Sequence, residues 1–169
     1  MGIKELKVEL EILDKRRLIE LISEMYRKEK NAQKFLDYYL NPNESRLFEE
    51  HKARIREGFF PKRGDNLKLS IARHAINNFK KYEPSKELIA DLMLCYVECG
   101  VEFTNDYGDI NESFYASVEG MYYSALDLMS RECYLEKFKE RAAKIVHDTK
   151  GIGWGFHDGL ADIYIKYYE

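Results

Sequence analysis

The stretch SKELIADLMLCYVECGVEFTN, from Ser85 to Asn105, decides the fold of this chain. Ser85 follows Pro84 and precedes Glu87, which is typical of a helix start because serine caps the helix and an early carboxylate favours its N-terminus. Two adjacent apolar stripes then recur at helical spacing: Leu88, Leu92, Cys95, Cys99 and Phe103, and beside them Ile89, Met93, Tyr96 and Val97. A helix that is apolar around most of its girth is buried, so we predict that this helix is the central element.

Segments on both sides of this helix show the same helical period, and none shows sustained strand alternation between turns. The sequence therefore predicts an all-α protein of about eight helices. Short connections favour stacked antiparallel αα-hairpins, arranged as an irregular helical bundle or a short α-superhelix. We expect one domain over residues 1–169, with a subdivision near the irregular stretch 58–66 as the alternative.

Boundary residues mark several of these helices. Asp14 is the expected N-cap of a helix with an apolar stripe at Leu18, Leu21, Ile22 and Met25, and Asn31 is the expected N-cap of the next helix. That helix must end before Pro42, because the residue before a proline is pushed out of the helical region.

Four glycines near the C-terminus, at 151, 153, 155 and 159, surround Trp154. A phosphate loop is excluded, because a helix precedes the segment and Phe156 occupies the third glycine place of Gly-x-Gly-x-x-Gly. We expect Gly151 to end one helix in the left-handed conformation. The last helix is predicted over 154–168, with Gly155 and Gly159 on one face where another helix approaches closely.

Composition indicates a folded protein with a core of its own, since 45% of the residues are hydrophobic and 34% charged. The N-terminus is charged from Lys4 onward, unlike a secretory signal, and the longest unbroken apolar run, 92–97, is too short to span a bilayer. Three cysteines without a Cys-x-x-Cys motif suit a reducing compartment. We therefore expect a cytoplasmic protein.

Charge is distributed in blocks although the net charge is only −3. Residues 46–82 carry ten Lys or Arg against four Asp or Glu, and residues 83–136 carry two against twelve. We expect these blocks to complement each other within the fold. Nucleic-acid binding through 46–82 is the alternative, although the pI near 5.9 and the long connection within this segment argue against a helix-turn-helix.

Carboxylates cluster between residues 102 and 112. Glu102, Asp106, Asp109 and Glu112 are the candidate metal ligands, since Ca²⁺ and Mg²⁺ prefer oxygen donors, but their order is not that of an EF-hand. Carboxylates at a helix C-terminus are electrostatically unfavourable, so we expect a positive group near Glu102 and Asp106, for which an arginine or lysine serves as well as a metal. No cofactor is predicted.

Catalytic candidates are confined to His157, His147 and Asp158. Adjacent residues on a helix point about 100° apart, so His157 and Asp158 do not form a triad-like pair. An acid–base unit would need His157 to meet His147 or the carboxylates of 102–112. The sequence contains neither Glu-x-x-His nor His-Glu-x-x-His, which excludes the di-iron and zincin patterns.

Four stretches carry a family resemblance: FLDYYLNPNE (35–44), FFPKRGDNLKLSIARHAINNFKK (59–81), GVEFTNDYGDINESFY (100–115) and DTKGIGWGFHDGLADIYIKYY (148–168). With these motifs the chain resembles, over its full length, a bacterial family of small all-helical proteins of unassigned function. The resemblance implies a helical fold and a cytoplasmic location, and it implies no activity, cofactor or catalytic residue.

The function that the sequence favours is a protein or peptide interaction module without a recognisable catalytic centre. Stacked helical hairpins expose grooves, and thirteen tyrosines provide flat amphipathic surface for recognition. The alternatives are an enzyme or metal-binding protein with a composite site of His147, His157, Glu102, Asp106 and Asp109, and nucleic-acid binding through 46–82. We expect a protein or peptide partner and no membrane association.

Overall fold

The computed structural model describes residues 1–62 and 67–169. These residues form nine α-helices and no strand, which confirms the all-α prediction, with one helix more than the eight or so expected. Glu29 alone separates the second helix from the third. The helices are α1 (Ile3–Glu11), α2 (Lys15–Lys28), α3 (Lys30–Leu40), α4 (Glu44–Phe59), α5 (Leu69–Lys80), α6 (Lys86–Tyr107), α7 (Glu112–Arg131), α8 (Leu135–Asp148) and α9 (Phe156–Tyr168).

The helices divide into two compact units, Met1–Asn43 and Glu44–Glu169. Of the predicted boundary region 58–66, residues 63–66 lie outside the described residues. The two helices that flank it, α4 and α5, pack against each other within the second unit.

The second unit is built around α6, which packs against α4, α5, α7 and α8. Both apolar stripes of α6 are buried along most of their length, with Leu92, Tyr96 and Val97 fully inaccessible, so its predicted central position is confirmed. Tyr96 also ties α6 to its neighbours. Its ring meets Phe59 of α4 at 4.9 Å between centroids, and its hydroxyl lies 2.7 Å from Oγ of Ser117 on α7.

The first unit contains α1, α2 and α3. Asp14 caps α2 as predicted, since its carboxylate accepts a hydrogen bond from the backbone N–H of Arg17 at 2.8 Å. The predicted cap of α3 is wrong: Glu29 is the N-cap, and Asn31 lies inside the first turn. No residue of the three helices is buried, so the predicted apolar stripe on α2 leaves Leu21, Ile22 and Met25 exposed.

The glycine-rich corner leads from α8 into α9. Gly151 has φ of 88°, the left-handed conformation predicted for it. The predicted start of the last helix at residue 154 is wrong, because Trp154 (φ 61°) and Gly155 (φ 69°) are both left-handed and the helix begins at Phe156. Gly159 does lie within α9, where a β-carbon would meet Oε1 of Glu119 at 2.8 Å, so this glycine permits a close approach from α7.

None of the described helices combines the length and the apolar composition that crossing a bilayer requires.

Candidate functional site

His157 lies in the first turn of α9 and contacts the end of α8. Its Nδ1 is 2.8 Å from Oγ1 of Thr149, a fully buried residue whose hydroxyl donates to the carbonyl of Val146 at 2.7 Å. A threonine hydroxyl has one proton to donate, so the network assigns the shared proton to His157 Nδ1. The imidazole therefore helps to close the C-terminus of α8.

Glu102 has the positive neighbour that its position near a helix C-terminus predicted. Arg56 of α4 binds it with two hydrogen bonds, Nη1 to Oε2 at 2.7 Å and Nη2 to Oε1 at 2.6 Å. These hydrogen bonds lower the pKa of Glu102 below its ordinary value of 4.5. The guanidinium also lies over the ring of Phe60 at 4.7 Å. A bidentate arginine thus occupies both oxygens of this candidate ligand.

Asp109 lies in the connection between α6 and α7 and contacts the glycine-rich corner. Its Oδ1 accepts a hydrogen bond from the Tyr115 hydroxyl at 2.8 Å, and its Oδ2 would lie 3.1 Å from a β-carbon at Gly153. The other two candidate ligands, Asp106 and Glu112, are exposed. Across residues 1–62 and 67–169, no three His, Cys, Asp or Glu side chains are grouped to hold a metal ion.

The remaining catalytic candidates lie on the surface. His147 is exposed and its Nδ1 lies 3.4 Å from Oδ1 of Asp148, while Asp158 is exposed in the first turn of α9. In the described part of the chain, the hydrogen bond of His157 goes to Thr149 and not to His147 or to a carboxylate of 102–112.

The fold nevertheless brings the stretches 100–115 and 148–168 together. Asn105 donates from Nδ2 to the carbonyl of Asp148 at 3.0 Å, and the rings of Tyr115 and Phe156 lie 4.6 Å apart. Both rings are buried, as are the side chains of Phe114 and Leu160. The juxtaposition of these two stretches therefore builds core between α6, α7 and α9.

The basic block 46–82 neutralises only part of the acidic block 83–136. Arg56–Glu102 is a pair between the two blocks, whereas Arg141 and Lys137 of α8 bind three further acids. Arg141 donates to Oδ1 of Asp91 at 2.6 Å and to both oxygens of Glu98 at 2.6 and 2.8 Å. The third α8 pair joins Lys137 to Glu87 at 2.6 Å.

A groove of about 680 Å³ opens where the end of α5 and the start of α6 meet the second half of α7, and its volume lies in the range typical of ligand sites. We call it the α5–α7 groove. Its floor is apolar, with Ile89 and Met93 of α6 both buried. Three basic and two acidic residues line it, for a net charge of +1: Lys80, Lys86 and Arg131 against Glu83 and Asp127.

The acid and base of the groove that lie on α7 neutralise each other. Arg131 binds Asp127 at 2.7 Å, and the Tyr167 hydroxyl also contacts this carboxylate at 3.4 Å. Tyr123 forms part of the wall, where Lys166 donates to its hydroxyl at 3.1 Å and lies 4.5 Å from its ring centre. These contacts orient the wall and leave Lys80, Lys86 and Glu83 as the remaining charged residues of the lining.

Lys80 and Lys86 are the distinctive charges of the α5–α7 groove. Within residues 1–62 and 67–169, neither lysine has a carboxylate at ion-pair distance. Partial burial and, secondarily, the like charge of Lys86 lower the pKa of Lys80. Two neighbouring cations without a carboxylate at ion-pair distance, against the single further carboxylate of Glu83, favour an anionic ligand above the apolar floor.

Sequence patterns alone did not indicate this groove, although one signal for it lies in the sequence. Lys86 is the first residue of α6, where a cation opposes the helix dipole and an acid is the stabilising choice. A lysine at this position does not contribute to the stability of the helix. Its proximity to Lys80 and the α7 wall depends on tertiary packing, which no local pattern specifies.

Comparison with known proteins identifies one relationship. No curated protein and no solved structure matches the chain. A family model matches residues 1–168, and its description is "Family of unknown function (DUF6155)". The match covers nearly the whole chain, so this protein belongs to DUF6155, a family of unknown function.

Proposed function

We propose that the protein is an interaction module that binds an acidic peptide segment in the α5–α7 groove. The observation that carries the proposal is the pair of lysines without carboxylate partners, Lys80 and Lys86, beside the apolar floor formed by Ile89 and Met93. Such a groove suits a segment in which carboxylates alternate with apolar side chains. The lysines would bind the carboxylates, and burial of the apolar side chains would supply most of the affinity.

A peptide is favoured over a compact metabolite by the form of the groove. The groove is only partly enclosed and is lined by residues of three helices, so it can admit a segment of a longer chain. Tyr123 offers the flat amphipathic surface that recurs in peptide recognition, and its orientation by Lys166 reduces the entropy lost on binding.

Lys86 lowers the stability of α6, and this unfavourable effect supports a binding role for it. Removing a cation from the first turn of a helix stabilises the protein by about 0.3–1 kcal/mol in exposed cases. A variant that is more stable and binds less is typical of residues kept for function.

We propose a cytoplasmic location for this activity. The three cysteines are free thiols, with Cys95 and Cys99 buried on α6 and Cys133 exposed. An exposed free thiol is typical of a reducing compartment.

The test is a fluorescence-anisotropy titration of the full-length protein with two sets of labelled peptides, in which Glu or Lys alternates with Leu. We expect the Glu set to bind and the Lys set not to, with weaker binding in about 0.5 M than in about 0.05 M salt. Lys80→Gln and Lys86→Gln should each reduce affinity roughly tenfold, the loss expected for a hydrogen bond to a charged group.

Lys81→Gln is the matched control for Lys80→Gln. Lys81 is the neighbouring residue, outside the groove lining, and its Nζ binds the Asn78 side chain at 2.9 Å. The variant removes the same charge and should bind like the wild type. If Lys81→Gln and Lys80→Gln lose the same affinity, the effect depends only on net charge and the proposal is contradicted. Equal binding of the Glu and Lys peptide sets would also contradict it.

A further inference from the structure

The α1–α3 unit presents apolar side chains to solvent that a folded protein normally covers. Ten large apolar residues between positions 3 and 40 are exposed: Ile3, Val8, Ile12, Ile19, Leu21, Ile22, Met25, Phe35, Tyr39 and Leu40. The most exposed of them include Tyr39 at 70% and Leu40 at 69%. Because none of the residues in α1, α2 or α3 is buried, these helices have no core of their own.

Helices of this length need packing to be stable. α2 has 14 residues and α3 has 11, and isolated helices shorter than about 12–15 residues are marginal in water. A surface hydrogen bond from the Tyr26 hydroxyl to Asp37 at 2.9 Å joins the two helices. The stability of the unit must therefore come from burial of its apolar face.

We propose that a second copy of this chain covers the α1–α3 unit, forming a homodimer through α2 and α3. The site is separate from the α5–α7 groove, and the proposal does not depend on the proposed peptide binding. The contact would centre on Ile22 and Met25 of α2 and on Phe35 and Tyr39 of α3, whose rings already stack at 6.4 Å.

The exposed area matches what a stable dimer needs. Taking about 200 Å² for a large side chain, the seven exposed apolar residues of α2 and α3 present roughly 700 Å² to solvent, close to the about 800 Å² per partner in a standard interface. Under twofold symmetry the same face serves both copies, so each contact occurs twice.

The small net charge of residues 1–43 favours a second copy of the chain over a strongly charged partner. Residues 1–43 carry nine Lys or Arg and eight Asp or Glu, a net charge of +1. Two copies of this unit therefore repel each other little, and a highly acidic or basic partner would gain little attraction. The face would select a partner with a complementary apolar surface, and a second copy of the chain has such a surface.

The test is the mass of the full-length protein in solution, measured by light scattering after size exclusion and by sedimentation velocity over a range of concentrations. The chain mass is 20.0 kDa, so we expect a species of twice that value, about 40 kDa. Ile22→Glu should weaken dimerisation by roughly 100-fold or more, since each dimer would bury two uncompensated carboxylates.

Ile165→Glu is the matched control. Ile165 is a surface isoleucine of α9 with 48% exposure, against 47% for Ile22, so the two variants make the same change at equally exposed positions. The control should remain dimeric. If Ile22→Glu lowers helicity, photo-crosslinking through a benzophenone side chain in place of Tyr39 in the otherwise unchanged chain provides a second readout, with an expected crosslink between two copies.

A wild-type protein that stays monomeric up to high concentration would overturn the proposal, as would an Ile22→Glu variant that dimerises like the wild type. A monomer in which Tyr39 crosslinks to residues of the same chain would also overturn it and would assign an intramolecular cover. Loss of dimerisation in Lys80→Gln would contradict the separation of this surface from the α5–α7 groove.

Discussion

Gly100 of α6 lies directly against Val118 of α7. A β-carbon on Gly100 would lie 2.7 Å from Cγ2 and 3.1 Å from Cγ1 of Val118, distances that real β-carbons do not tolerate without a shift. Val118 is fully buried and β-branched, so its side chain has little freedom to move away. The glycine therefore permits the close approach of α6 and α7.

Gly100→Ala should destabilise the protein by about 1–2 kcal/mol. The gain of about 1 kcal/mol in helix propensity is outweighed by overpacking, which costs about 1–3 kcal/mol. Gly120→Ala on α7 is the control, because no atom lies within 4 Å of its β-carbon position, and it should stabilise by up to ~1 kcal/mol. Urea unfolding measures both, and Val118→Ala should rescue the Gly100→Ala variant if the clash is the cause.

Arg141→Met should cost about 2 kcal/mol of unfolding free energy, because it leaves Asp91 and Glu98 without their shared cation. The Arg141 side chain is only 29% exposed, so the loss should approach but not reach the ~3–5 kcal/mol seen for fully buried pairs. Arg16→Met, which breaks an exposed pair with Glu20 on α2, should cost less than ~0.5 kcal/mol. Similar losses of unfolding free energy in the two variants would show that the partial burial of Arg141 does not strengthen its ion pairs.

The Arg56–Glu102 pair should make stability depend on pH in acid. The folded-state pKa of Glu102 is lowered, so its contribution is present above the ordinary value of 4.5 and is lost as pH falls through the folded pKa. Because the side chains are 55% and 41% exposed, the contribution at neutral pH should stay below ~1 kcal/mol. Urea unfolding of wild type and Arg56→Gln between about pH 7 and 3 should show a difference that disappears in acid. A difference that is unchanged in acid would contradict the pairing.

Trp154→Gly should stabilise the protein by about 1 kcal/mol. Trp154 is left-handed at φ 61°, a conformation costly for a bulky residue, and its side chain is 66% exposed, so little packing is lost. Gly155→Ala, at φ 69° with open space around its β-carbon position, tests the same region in the opposite direction and should destabilise by a similar amount. Thermal unfolding of both variants provides the measurement. A Trp154→Gly variant less stable than wild type would mean that the indole contributes packing.

The helices themselves were predictable because their signals are local. Apolar residues at helical spacing, caps such as Ser85 and Asp14, and the break at Pro42 specify helices from short-range chemistry alone. The central position of α6 followed from its apolar girth. Where local signals were weak, the boundaries shifted, as at Glu29 in place of Asn31 and at Phe156 in place of Trp154.

The candidate sites were predictable only in part. The expectation of a cation near Glu102 was confirmed with Arg56, because helix-end electrostatics is a local argument that any nearby arginine satisfies. The composite His157 site remains a prediction from residue types, and the geometry gives His157 a partner, Thr149, that no spacing rule indicated. The α5–α7 groove was missed because its lysines come from two helices whose register is set by packing.

The sequence by itself determined an all-helical chain with a buried α6, because hydrophobic periodicity and capping act within a few residues. Only the tertiary structure decided which charges meet: Arg141 of α8 rather than the basic block binds Asp91 and Glu98. It also decided that the amphipathic stripe of α2 lies exposed while that of α6 is buried. Two helices with the same periodicity differ in this way because burial depends on which surfaces the chain brings together, and that information is not contained in either helix alone.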